Sequence, residues 1–266
     1  MLRLWSRSYG TLSAPALVMI HGMGSASTAW SLITPELSNH FRVIHIDLPG
    51  HGFSEMDSSK EMDPHSLAER VLEELNNLGI DKFHVVGNSL GGWIGLDLAA
   101  EHPNRVLSLI GIAPAGLWLS PVNRRLPIGA YARSLAQLTH PIASYFMQYT
   151  WARRIGFAAV SPLWKELPTH VVLDAVKAMG SSSGYYPAWD ALLSLRFDKK
   201  ISPTVPVTII FGDTDNTLPA KTSQERSLAP AHAKWVRLTQ AGHAPMWDHP
   251  RDVIDEILET TSRVSQ

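Results

Sequence analysis

Cysteine is absent from the 266 residues. That excludes a disulfide framework, a thiol nucleophile and cysteine-ligated zinc, and it fits the cytoplasm, where the protein is expected. An excess of charge of one sign is missing too. The 23 Lys and Arg against 24 Asp and Glu leave a formal net charge of -1, so overall electrostatics make no case for nucleic acid or an anionic membrane as partner. No stretch approaches the apolar length of a membrane span, and the opening MLRLWSRSYGT has no run of signal-peptide length, so a soluble, unexported protein is expected. Repeats, linkers and low-complexity tracts are lacking as well. With 45% hydrophobic and 18% charged residues, the chain has the composition of a globular protein that buries a substantial core as one domain, with room for an insertion. A small molecule is the expected partner.

Apolar, β-rich runs recur at Leu17–Ile20, Val43–Ile46, Phe83–Val86, Val106–Ile112, Val207–Phe211 and Trp235–Leu238. Their near-continuous apolarity predicts strands buried on both faces, the mark of an α/β fold with a mostly parallel central sheet flanked by helices. One helix is delimited by its ends. Asp63 is a plausible N-cap, Pro64 suits the first turn, Leu67, Val71, Leu75 and Leu78 form an apolar stripe, and Gly79 stops it. The stretch between Ile112 and Val205 is too long for a simple crossover and is dense in Trp, Tyr, Phe and Met. A helical insertion over the sheet's C-terminal edge is expected there, most of its aromatic residues forming a small core of their own and a few facing a ligand.

Within VVGNSLGGW, Ser89 lies between the run ending at Val86 and a helical pattern that starts at Leu90. Turning from strand to helix so abruptly crowds the serine against positions two before and two after it, and both are glycine, Gly87 and Gly91. Such a turn exposes the hydroxyl above the sheet edge and aims the free N–H groups of the new helix at whatever that hydroxyl attacks. A serine hydroxyl is a weak nucleophile at neutral pH, so it requires a histidine to take its proton and a carboxylate to orient the histidine. Both types occur beyond later strands. Gly212-Asp213-Thr214-Asp215-Asn216-Thr217-Leu218-Pro219 is a loop with two acids, and Thr239-Gln240-Ala241-Gly242-His243-Ala244-Pro245-Met246-Trp247 carries one histidine. Loops at the carboxyl ends of strands in an open α/β sheet converge on one crevice, so the three can meet.

Taken in order, His21-Gly22-Met23-Gly24, Asp47-Leu48-Pro49-Gly50-His51-Gly52-Phe53-Ser54, the turn at Ser89 and the Asp and His loops resemble the α/β-hydrolase fold superfamily over essentially the whole chain. The resemblance implies the α/β-hydrolase fold with a helical cap inserted before the strand that precedes the catalytic Asp. The expected division is core over 1–115, cap over 116–186 and core over 187–266. It makes Ser89 the nucleophile, His243 the base and Asp215 the acid, since Asp215 stands three residues after Gly212 and four before Pro219, as the family's acid usually does. Asp213 fits neither spacing and is expected to cap its loop or be solvated, the triad acid being its alternative role. Backbone N–H groups of Met23 and Leu90 are the implied oxyanion hole, while His21 and His51 are expected to bind loop backbone.

A serine at the turn, where dehalogenases and epoxide hydrolases of the superfamily carry aspartate, points to acyl transfer from a carboxylic ester to water. No metal or cofactor is implied. The runner-up is carbon–carbon bond hydrolysis of vinylogous diketones. The segment Gly87 to Gly92 resembles that branch, but Ala244 stands where those relatives often carry tryptophan, and Arg124, Arg125, Arg153, Arg154 and Arg196 are equal candidates for the arginine they need. A slow-turnover small-molecule receptor is the third reading. The insertion's aromatic content points to an apolar or aromatic substrate, with Trp118, Trp151, Trp164 and Trp189 as expected pocket residues. Met246 and Trp247 are expected either to extend the pocket wall or to pack beneath the histidine loop.

Overall fold

The computed structural model describes residues 2–125 and 127–264. Each of the six apolar runs becomes a strand, and a further strand precedes them: β1 (Ser6–Tyr9), β2 (Ala16–Ile20), β3 (Arg42–Ile46), β4 (Phe83–Asn88), β5 (Val106–Ile112), β6 (Val207–Gly212) and β7 (Lys234–Leu238). They form one sheet in the order β1-β3-β2-β4-β5-β6-β7, parallel throughout except for β1 against β3. The apolar runs are continuous because both faces are covered. Val18, Ile20, Val85 and Ile209 enter one core, whereas Leu17, Met19, Val86 and Ile210, of opposite parity, enter the other.

The first face is covered by α1 (Pro64–Asn77) and α2 (Leu90–Glu101), through Leu67, Val71 and Leu75 and through Trp93 and Ile94. Helix α1 begins where its cap directs: the Asp63 carboxylate accepts from the N–H groups of His65 (3.0 Å) and Ser66 (3.1 Å), and Gly79, at φ 71°, follows its end. Between β5 and β6 lie α3 (Pro127–Thr139), α4 (Thr150–Phe157), α5 (Thr169–Ser181) and α6 (Tyr185–Leu192). Met147, Phe157, Val172 and Val176 give this excursion an apolar cluster of its own. Its last helix, α6, runs across position 186 and ends at Leu192. Helix α7 (Pro250–Ser262) covers the second face with Val253, Ile254 and Ile257. No helix among the described residues is long and apolar enough to cross a membrane.

The strand order places a switch point at β2. The chain passes from β2 to β3 on one side, then returns past β2 to lay down β4 on the other. Ligand crevices form beyond the carboxyl ends of strands at such a reversal. Here the pairing of Ile20 with Gly87 sets the loop that starts at His21 beside the turn that holds Ser89.

Candidate active site

Ser89 has φ 55° and ψ -115°, a backbone conformation that costs a non-glycine residue about 1–3 kcal/mol. Three hydrogen bonds hold it there. Its N–H donates to Ile112 O (2.9 Å), and its carbonyl accepts from Ala115 (2.9 Å) and Trp93 (3.2 Å). Glycines make the turn sterically feasible: a Cβ on Gly87 would strike the Gly91 carbonyl, and one on Gly91 would strike the carbonyl of Ile20. A Cβ on Gly22 would lie 3.0 Å from that of Ser89, so the His21 loop approaches the serine as closely as glycine permits. Neither Met23 N–H nor Leu90 N–H, the latter at the first residue of α2, donates to another group among the described residues. Both donors flank Ser89 in sequence or in space.

The Asp and His loops meet as their strand ends require. His243 Nδ1 lies 2.9 Å from Asp215 Oδ2. A buried carboxylate can only accept, so Nδ1 carries the proton and Nε2 is left as the basic nitrogen. Asp215 Oδ1 accepts from the N–H groups of Thr217 and Leu218, each at 2.8 Å. Burial pushes its pKa up, but the His243 imidazole and these N–H groups outweigh burial and hold the carboxyl below its ordinary range. Asp213 makes no contact with His243; its N–H donates to Leu238 O (2.9 Å), and its Oδ1 is buried without a partner among the described residues. Asn88, next to Ser89, donates from one amide nitrogen to the carbonyls of Ile112 and His243, both at 3.1 Å. It thereby couples the serine turn to the histidine loop.

Asp248 supplies a second clamp that was not foreseen. Its carboxylate accepts from Gly242 N–H (2.8 Å) and from the Ser161 hydroxyl, while His243 N–H donates to Val160 O (2.8 Å). Burial raises its pKa. The helical excursion is therefore fastened to the histidine loop on both sides of His243. The one signal in the sequence is an acid five residues after the histidine, in a loop otherwise apolar up to that point.

His21 binds loop backbone as expected. Its Nδ1 donates to Gly22 O (2.7 Å) and its Nε2 accepts from Leu48 N–H (3.0 Å), so the ring is neutral, with burial pushing its pKa down to about 4. His51 donates from Nδ1 to Pro49 O (2.9 Å) and is pushed down to about 3 by burial. The end of α5 and the start of α6 press on these same loops. Gly184 N–H donates to Gly50 O (3.0 Å), and a Cβ on Gly24 would lie 2.6 Å from the Met179 sulfur and 2.9 Å from the Tyr185 ring. Met179 and Tyr185 thus roof the backbone that follows Met23.

The aromatic residues expected to line a pocket are dispersed. Trp118 is 6% exposed, packs edge-on to Trp93 at 5.2 Å and donates from Nε1 to Leu195 O (2.7 Å). Trp151 is 57% exposed and stacks on Tyr149; Trp164 packs on the cluster of the excursion, with Lys165 over its ring. Trp189 contacts Tyr185 and fills the space beside Gly129. Met246 is buried in the second-face core, and Trp247 donates from Nε1 to Ala29 O (2.9 Å), so both pack beneath the histidine loop. Trp118, Met246 and Trp247 are occupied by packing, while Met179 and Tyr185 lie against the His21 loop. Among the described residues, the group spaced to hold a metal ion is His65, Glu69 and Glu101, at the far end of α2, about 18 Å of helix from Ser89.

A strained serine at a strand-to-helix turn, its neighbour Asn88 bonded to the loop of a His–Asp pair, with the three in Ser, Asp, His order, defines a class. Residues 17–256 match the Alpha/beta hydrolase family, and the chain belongs to it. It is 29% identical over 266 residues to an uncharacterized protein of Mycobacterium tuberculosis, covering 94% of this chain and 76% of that one. It is 28% identical over 251 residues to a pimeloyl-[acyl-carrier protein] methyl ester esterase of Aeromonas hydrophila, covering 92% and 94%. Among solved structures, a meta-cleavage product hydrolase from Pseudomonas fluorescens aligns with TM-score 0.73 at 19% identity, over 98% of this chain and 95% of that one. At that identity the likeness shows the fold.

Proposed function

We propose that this protein is a serine hydrolase that cleaves carboxylic esters through an acyl-enzyme. The observation that carries the reading is the strained Ser89 turn coupled by Asn88 to a His243 whose Nδ1–H is committed to Asp215. Ser89 Oγ has no hydrogen-bond partner among the described residues, and catalytic contacts of this kind tighten when substrate fills the site. In the reaction His243 Nε2 takes the Ser89 proton as Oγ attacks the ester carbonyl, and Asp215 stabilises the imidazolium. The carbonyl oxygen gains its charge between the N–H groups of Met23 and Leu90, each worth about 3 kcal/mol to the transition state. His243 then protonates the departing alkoxide, and water, activated by the same nitrogen, releases the acid. An alkoxide leaves the tetrahedral intermediate more readily than an amine, which favours esters over amides. The esterase relative acts on a methyl ester by its name, which supports the same class. In this reading the helical excursion is a lid, and Met179 and Tyr185 shape the acyl pocket.

Purified protein should turn over p-nitrophenyl esters, with a preference set by acyl length. Ser89→Ala should lower that rate by about 10⁶-fold without loss of circular-dichroism signal. Activity in the alanine variant equal to the wild type, with contaminating esterase excluded, defeats the reading. A dienone diketone turned over faster than any ester would replace it with carbon–carbon bond hydrolysis, and a single turnover without recycling would make the protein a receptor.

A further inference from the structure

The net charge of -1 conceals an asymmetry along the chain. From His102 to Lys165 there is no aspartate or glutamate, while seven arginines and lysines occur. Some are accounted for locally: Arg133 is buried and donates to the carbonyls of Gly180 and Ser182, and Arg125 pairs with Asp190. Arg153 directs its donors to the carbonyls of Met147 and Leu167 and to the Thr169 hydroxyl, so its charge meets no carboxylate. Arg124 and Arg154 are exposed and have no acidic partner among the described residues.

The same stretch is the most apolar part of the surface. Among the described residues, seven of the twelve exposed large hydrophobic side chains fall within residues 131–155, Leu138 at 77% and Tyr131 at 66% exposure among them. Tyr145, Tyr149 and Trp151 touch one another in sequence, ring centroids 6.0 and 6.4 Å apart, and Ile155 stands one helical turn beyond Trp151. Contiguous exposed apolar area of this kind marks a surface that is covered in use.

We propose that the face presenting Tyr145, Tyr149, Trp151, Arg154 and Ile155, in α4 and just before it, docks on the surface of an anionic lipid bilayer. Tyr and Trp settle at the level of the headgroups, Ile155 reaches the acyl boundary, and unpaired arginines meet anionic headgroups. The apolar side chains protrude, which suits a yielding surface better than a rigid partner that must supply a pocket for each. A second copy of this chain is disfavoured by charge, because a two-fold interface through this face sets Arg153 and Arg154 near their own equivalents. The proposal goes beyond the ester reading and does not depend on it.

The test is flotation of the purified protein with vesicles of phosphatidylcholine alone or mixed with phosphatidylglycerol. Protein should float with the anionic vesicles, stay behind with the neutral ones, and be released by rising sodium chloride. Arg154→Glu should weaken vesicle binding by at least about tenfold, since each basic residue near the surface contributes on the order of 1 kcal/mol. The triple variant Tyr145→Ser, Tyr149→Ser, Ile155→Ser should lose binding while keeping its circular dichroism and its rate on a short soluble ester. Equal binding of wild type and variants, no flotation with anionic vesicles, or a concentration-dependent dimer abolished by the triple variant in place of flotation would overturn the proposal. So would capture by an acidic carrier protein under conditions where vesicles fail.

Discussion

Asp213 and Asp215 stand two residues apart on one loop, and their backbones decide which can serve His243. The N–H of Asp213 is spent on Leu238 O and its carboxylate makes no hydrogen bond to His243 among the described residues, whereas Asp215 receives two loop N–H groups on one oxygen and offers the other to the imidazole. Asp215→Asn should therefore lower kcat by about 10⁴-fold, because the amide favours the wrong tautomer, and Asp213→Asn should stay within a few-fold. Steady-state rates on one activated ester settle the ranking, and the reverse order would move the acid. Trp118 offers the complementary case. It is large, aromatic and close to α2, yet its ring packs on Trp93 and its N–H is satisfied by Leu195. Trp118→Ala should lower stability by about 3–5 kcal/mol in urea unfolding and leave the order of preference among acyl lengths unchanged. A changed preference with unchanged stability would return Trp118 to the pocket.

At the scale of elements, the histidine loop is held by a helical excursion that comes from another part of the chain. Asp248 joins Gly242 N–H to the Ser161 hydroxyl, and Val160 O takes the N–H of His243. Asp248→Asn keeps one acceptor oxygen but turns an NH₂ group against a donor, so the loop should loosen. A drop in kcat of about ten- to a hundredfold with little change in KM is expected, since small misplacement of a reacting group is costly. A change confined to KM would assign Asp248 to substrate binding instead. Such a clamp was hardly legible in the sequence, because Ser161 and Asp248 are joined only by the fold. Strands β2 to β7 were legible through their apolar runs, and helix α1 through Asp63, Pro64 and Gly79. Strand β1, Ser6–Tyr9, was not: an antiparallel edge strand is half-buried, so it lacks the apolar continuity that reveals its neighbours. The surroundings of the insertion's aromatic residues were illegible for a related reason. Trp and Tyr content shows that an insertion has something to bury, but only the placement of Gly24 and Gly184 shows that Met179 and Tyr185 meet the His21 loop.

For the whole molecule, four histidines in the sheet region link folding to pH. His21, His45 and His84 are pushed down to about 4 and His51 to about 3, in each case first by burial. The Leu48 N–H bond to His21 Nε2 requires a neutral ring, whereas His45 Nε2 donates to the Thr34 hydroxyl (2.9 Å) and His84 Nδ1 pairs with that of Ser108 (2.8 Å), so burial rather than hydrogen bonding holds these rings down. An unfolded histidine has a pKa of about 6.5, so between pH 6.5 and 4 the unfolded chain binds protons that the folded one refuses, and stability falls as pH falls. Asp97 acts in the opposite sense. Burial, only partly offset by Lys199, raises its pKa to about 6, so folding takes up its proton in the same window and stability rises on acidification. Asp47 and Asp248, whose pKa values burial also raises, act with Asp97, but the four far-shifted histidines remain dominant. Stability should decline below pH 6 with a slope of about 2–4 kcal/mol per pH unit near pH 5, measured as urea-unfolding free energy at several pH values. Removing one titrating ring should lower that slope in the window by about one proton, or roughly 1.4 kcal/mol per pH unit. His84→Gln is the suitable variant, because it lies away from Ser89 on the β4 side of the Ser108 hydroxyl, and glutamine can keep that bond. Unfolding free energies that stay level from pH 7 to pH 5, or a slope that His84→Gln leaves untouched, would show that these rings already carry their protons in the folded protein.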